Sequence, residues 1–159
     1  MVLEFDIAAP RQMVWEYWTA PGQRPKWRAA DEVIESSKGG RRGVGTTNHC
    51  MHGAHAIIEE ILDWRPFDYL TLSTLVPVPK APKIIMTYAF LATSSGGTRV
   101  ELRVARPRPR DRAFVEHVCA EFQKTITSEV AALRLMIEGQ DLSPLVVEEP
   151  ALPAPAERS

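Results

Sequence analysis

Several classes of function find little support in this chain. Of its 159 residues only two are cysteine, Cys50 and Cys119, too few for a disulfide framework; two free thiols in a reducing compartment fit them. No apolar run approaches the ~18 residues that cross a bilayer. Residues 1–10 carry Glu4 and Asp6 where a secretory signal would carry positive charge. The expected location is cytoplasmic, without membrane insertion. Nineteen basic residues against twenty acidic leave a formal net charge of −1, so no global field gathers nucleic acid. A Gly-rich phosphate loop, a Gly-x-Ser-x-Gly elbow, a dinucleotide fingerprint and internal repeats are also missing.

What is present is an ordinary globular composition, 45% hydrophobic and 25% charged, ending in a long amphipathic stretch. In residues 111–138, Val115, Val118, Cys119, Phe122, Ile126, Val130, Leu133 and Ile137 recur in steps of three and four. That is one apolar stripe on a helix. Gly139 follows as a stop. Such a helix is longer than one strand needs, so a sheet has to curve around it, and a pocket can form between them.

Before the helix the chain alternates. Residues 2–8 read as a half-buried strand with Leu3, Phe5 and Ile7 on one parity. Pro10 opens a short helix bearing Met13, Val14, Tyr17 and Trp18, and Pro21-Gly22 ends it. A second helical turn carries Pro25 and Trp27. Strands are expected over 33–36, 43–52, 56–64, 69–75, 83–93 and 98–106, with Ser94-Ser95-Gly96-Gly97 as a hairpin turn. Strands segregated from helices mean an α+β domain over residues 1–139. Residues 140–159, rich in proline and without periodicity, read as a flexible tail.

This order resembles the helix-grip fold of the START/Bet v1-like superfamily (SRPBCC), in its bacterial polyketide cyclase/dehydrase-like branch. The stretch APRQMVWEYWTAPGQRPKW (Ala9 to Trp27) resembles the family's opening. EEILDWRPFDYL (Glu59 to Leu70) resembles its Glu-rich strand, turn and next strand, and GGTRVELRV (Gly96 to Val104) its late hairpin. The resemblance implies a curved antiparallel sheet around the last helix and a cavity for a small hydrophobic molecule, aromatic, polyketide-like or lipid-like. Members share a pocket, not a catalytic set.

The candidate site residues follow from strand parity and helix spacing. Asn48, Cys50 and His52 share one face of their strand. Zinc is tempting at this His- and Cys-rich stretch, but strand geometry cannot put His49, Cys50 and His52 on one ion. No metal and no cofactor are expected. Glu59 and Glu60 face opposite sides, so only one can reach the cavity; a buried carboxylate there would be a general acid or base unless a partner offsets its desolvation. Ile84, Met86, Tyr88 and Phe90 share an apolar face, and Tyr69, Thr71 and Ser73 a polar one. Trp15, Trp18 and Trp27 suit core packing of the short helices and also a pocket wall. The expected binding set is Trp15, Trp18, Trp27, Asn48, Cys50, His52, Glu59, Tyr69, Met86, Tyr88, Phe90, Leu102, Phe122 and Ile126, with His52 and Glu59 the candidates for proton transfer.

Three readings of function stay open: a binder of a small hydrophobic molecule, a cofactor-independent cyclase or dehydratase, and a regulatory or interaction module using the arginine-rich loop, within the arginine-crowded stretch from Arg99 to Arg112, and the proline-rich tail. A homodimer stays open as well.

Overall fold

The computed structural model describes residues 1–139. The expected tail lies outside the described residues.

The elements run β1 (Val2–Ile7), α1 (Arg11–Thr19), β2 (Glu32–Ser36), β3 (Thr47–His52), β4 (His55–Arg65), β5 (Tyr69–Leu75), β6 (Ile84–Ala92), β7 (Thr98–Val104) and α2 (Arg112–Glu138). One seven-stranded sheet has the order β1-β7-β6-β5-β4-β3-β2, every pair antiparallel. The architecture is the helix-grip α+β fold, a curved sheet against a long C-terminal helix.

Local chemistry accounts for most boundaries. β3 and β4 meet in a two-residue hairpin, His52 opposite His55, and Gly53 takes the positive φ of 60° that this turn demands. β6 and β7 turn through Ser94–Gly97, where a Cβ on Gly97 would sit 2.8 Å from the Ile7 carbonyl oxygen. The strand expected from Gly43 starts only at Thr47. Residues 43–46 form a turn closed by the Thr46 amide on the Gly43 carbonyl at 3.0 Å. In β4 the register shifts between Ile61 and Asp63. This bulge bends the sheet and flips the inward parity from Ile57, Glu59 and Ile61 to Trp64.

The helix is 27 residues long, about 40 Å at 1.5 Å per residue. Its two halves are buried differently. Ile126, Val130, Leu133 and Ile137 are at most 1% exposed and pack in the core that includes Ile7, Phe90, Val100 and Leu102. Toward the N-terminal end, Phe114, Val118 and Phe122 are only half-buried. The Arg134 guanidinium donates to the Asp6 carbonyl at 2.8 Å and ties the helix's C-terminal end to β1. The stripe is therefore fully buried at its C-terminal end, while at the other end Val115 and Cys119 remain buried and Phe114, Val118 and Phe122 stand off the sheet.

Leu133→Ala should cost about 3 kcal/mol or more in a urea titration, as buried Leu truncations do. Lys124→Ala, on the exposed face, should stay within about 0.5 kcal/mol. Equal losses at both positions would contradict the packing.

Candidate functional site

The space under the N-terminal half of α2 has a polar floor. Asn48, Glu59 and Thr74 lie directly opposite one another on β3, β4 and β5 and all three are buried. Strand alternation turns Glu59 inward between Ile57 and Ile61, while Glu60 faces out toward Lys83 at 3.4 Å. The partner of Glu59 comes from far away in sequence. After α1, a single 3-10 turn over Arg24–Lys26, opened by Pro25, buries Arg24. Its Nη1 donates to Glu59 Oε2 at 2.7 Å, and its Nη2 to Cys50 Sγ at 3.3 Å.

Arg28 follows one helical turn later, its amide on the Arg24 carbonyl at 2.8 Å. Its Nε lies 3.0 Å from Glu129 Oε2 of α2, and the Ala29 amide donates to Glu129 Oε1 at 2.7 Å. The Arg28 guanidinium also stands over the rings of Trp27 and Phe122, at 5.4 and 5.9 Å from their centroids.

Above this floor is a cavity of about 450 Å³. Val33, Ile57, Val76, Val78 and Met86 form its sheet-side wall, and Phe114, Val118 and Phe122 its helix-side wall. His52, His117, Glu121 and Thr125 also line it. Arg24, Arg28, Glu59 and Tyr88 separate it from an inner chamber of about 10 Å³, lined also by Trp18 and Asn48. That is room for about one water.

Burial raises a carboxyl's pKa, but at Glu59 the charge and hydrogen bond of Arg24 outweigh burial and hold it below the ordinary 4.5. Burial pushes the Cys50 thiol up to about 11, with Glu59 adding to the effect. Burial pushes the Tyr88 phenol up to about 12. At neutral pH the floor is thus an ionised pair beside a neutral thiol and a neutral phenol.

Of the residues expected from sequence, Cys50, His52, Glu59, Met86, Tyr88 and Phe122 line the cavity, and Trp18 and Asn48 the inner chamber. Five others are core instead. Trp15 packs edge-on against Trp64 and Phe90 at 4.8 and 5.1 Å, and Trp27 lies tilted against Trp18 at 4.8 Å. Phe90, Leu102 and Ile126 are completely buried in the region the helix closes. Tyr69 faces the opposite side of the sheet, its hydroxyl donating to Asp63 at 2.9 Å. On β5 it is Leu70, Leu72 and Thr74 that point inward. The bulge in β4 and the facing of β5 are tertiary facts that alternation alone leaves open.

Sequence reasoning missed Arg24, Arg28, Glu129 and His117. A usable signal was there: Arg24 and Arg28 share a face four residues apart, and Glu129 interrupts the apolar face between Ile126 and Val130. Among the described residues no three His, Cys, Asp or Glu side chains gather to hold a metal ion.

Arg24→Met leaves a buried carboxylate unpaired and should cost about 3–5 kcal/mol, whereas Arg24→Met with Glu59→Leu should recover most of it. Linkage sets the pH dependence. A carboxylate with a lowered folded pKa lends stability that is present above the ordinary 4.5 and lost as pH falls through its lowered value. Urea midpoints of the wild type should fall on acidification through this window, and those of the double variant should fall less.

Solved structures share the architecture. Protein MLL2253 from Mesorhizobium loti is 17% identical with a TM-score of 0.67, covering 89% of this chain and 98% of that one. Protein Ms6760 from Mycobacterium smegmatis is 15% identical with a TM-score of 0.68, covering 88% and 91%. DynU16, from the dynemicin biosynthetic locus, is 15% identical with a TM-score of 0.65, covering 87% of this chain and 47% of its own. At these identities the likeness speaks for the fold alone. No curated protein matches the chain. Its sequence matches, over residues 1–138, the profile of the family described as polyketide cyclase / dehydrase and lipid transport, and the chain belongs to that family, a branch of the START/Bet v1-like superfamily.

Proposed function

We propose that the protein binds a small hydrophobic molecule, aromatic or polyketide-like, between the sheet and the N-terminal half of α2. One observation carries this reading: a cavity of about 450 Å³ with largely apolar walls, whose buried charges are already paired with each other. The volume falls in the usual range for small-molecule sites. The family description and the biosynthetic locus of DynU16 support a ligand of this chemistry.

A cyclase or dehydratase reading draws on the presence of His52 and Glu59 on the same cavity wall. Glu59 fits the part of general acid poorly, since Arg24 holds it ionised at neutral pH. It is also a weak base, its oxygen already engaged at 2.7 Å.

Met86 is 4% exposed and lines the cavity, so Met86→Trp should fill it. Uptake of the neutral dye Nile red, followed by fluorescence titration, should weaken about tenfold or more, while far-UV circular dichroism stays that of the wild type. His52→Ala should change dye affinity by no more than a hydrogen bond's worth, about 1 kcal/mol. A wild type that takes up no dye would defeat the binding reading. If incubation with a candidate polyketide yields turnover that His52→Ala cuts ~100-fold with dye uptake intact, the enzymatic reading replaces it.

A further inference from the structure

The wall charges cancel one another, and the hydrogen-bonding groups do not. Arg24 is held by Glu59 at 2.7 Å, Arg28 by Glu129 at 3.0 Å, and Glu121 by Lys124 at 2.7 Å. An arriving carboxylate therefore meets no unpaired arginine among the lining residues. It would shed its water, at several kcal/mol per ion, next to a Glu59 that is already negative. Three buried atoms of lining residues have no hydrogen-bond partner among the described residues: Thr74 Oγ1, Arg24 Nε and Glu129 Oε2. Glu129 Oε2 is ion-paired with Arg28 Nε at 3.0 Å, which leaves the Thr74 hydroxyl and the Nε–H of the already paired Arg24 guanidinium as the open contacts. Their residues are 6% and 4% exposed, and both line the cavity. Both neighbour Glu59 on the floor: Thr74 stands directly opposite it and Arg24 is hydrogen-bonded to it. A ligand hydroxyl there can accept from the Arg24 Nε–H and exchange a hydrogen bond with the Thr74 hydroxyl. A buried polar group without a partner costs about 1–3 kcal/mol, so a ligand that supplies the partner gains part of that back.

We propose that the ligand is a neutral apolar molecule with a hydroxyl or phenol head, seated at Thr74 beside the Arg24–Glu59 pair, and that the cavity rejects the carboxylate of the same skeleton. This rests on the binding reading above and names its ligand class.

Displacement of Nile red by naphthol and by naphthoate at neutral pH tests the head group on one ring system. Naphthol should displace the dye, and naphthoate should need about tenfold more or worse, reflecting the uncompensated desolvation of its charge. Thr74→Val separates ligand contact from structure. Replacing an unpaired buried hydroxyl by a methyl of similar shape should leave stability unchanged or raise it. The same change should weaken naphthol about fivefold and leave Nile red affinity alone. Equal displacement by naphthol and naphthoate overturns the inference, as does a folded Thr74→Val with unaltered naphthol affinity. If Thr74→Val does not fold, the wild-type comparison of the two naphthalenes decides alone. A wild type that takes up neither dye nor naphthol defeats the binding reading, and this inference with it.

Discussion

Arg24 and Glu59 are each 4% exposed, and neither charge can remain in the interior without the other. Their pairing fixes more than two side chains. Arg24 belongs to the turn after α1, Glu59 to the middle of the sheet, and Arg28, one helical turn on, reaches Glu129 of α2. Residues 24–29 are thus held to the sheet at one end and to the helix at the other. The helix end of this link, Glu129, lies beside buried Ile126 and Val130, where α2 meets the core. Stability alone would not require this arrangement, since an apolar pair of equal volume would serve as well or better. What the charges supply is a polar floor to the cavity.

The helix explains why the cavity lies where it does. Ile126, Val130, Leu133 and Ile137 are almost fully buried in the core, with Val115 and Cys119 buried nearer the N-terminal end, while half-buried Phe114, Val118 and Phe122 face the cavity. A sealed apolar void of 450 Å³ would cost on the order of 10 kcal/mol at ~24 cal/mol per Å³. That rivals the whole stability of a domain. The wall is not sealed: Val78 is 49% exposed and His117 is also exposed, and both line the cavity. The open rim relieves the cost.

Much of this architecture could be read from the residues. The α2 stripe, the late hairpin and the shared parity of Asn48, Cys50 and His52 all follow from local periodicity, and the structure has them; that this parity faces inward is added by the tertiary fold. The site was legible only in part. Glu59 is recognisable as one of two alternating carboxylates, but its ionisation depends on Arg24, which lies thirty-five residues earlier on a 3-10 turn. Strand alternation has no means of foreseeing that pairing. Tyr69 shows the opposite failure: its polar parity suited a cavity lining, yet the β5 register turns Leu70, Leu72 and Thr74 inward. Trp15 and Trp27 are large aromatics at helical spacing, and here packing claimed them.

The protonation states on the floor limit what chemistry the cavity can host. A general acid of the carboxyl type must carry a proton near neutral pH, and the pairing with Arg24 removes that proton from Glu59. Burial keeps the protons on Cys50 and Tyr88, with values raised to about 11 and 12. They remain good at another task. A neutral phenol, a neutral thiol and an unpaired threonine hydroxyl can hold and orient a ligand oxygen without exchanging charge with it. In the proposed binding reading, the same electrostatics suits the floor to an uncharged polar head and leaves the rest of the molecule to the apolar walls above it.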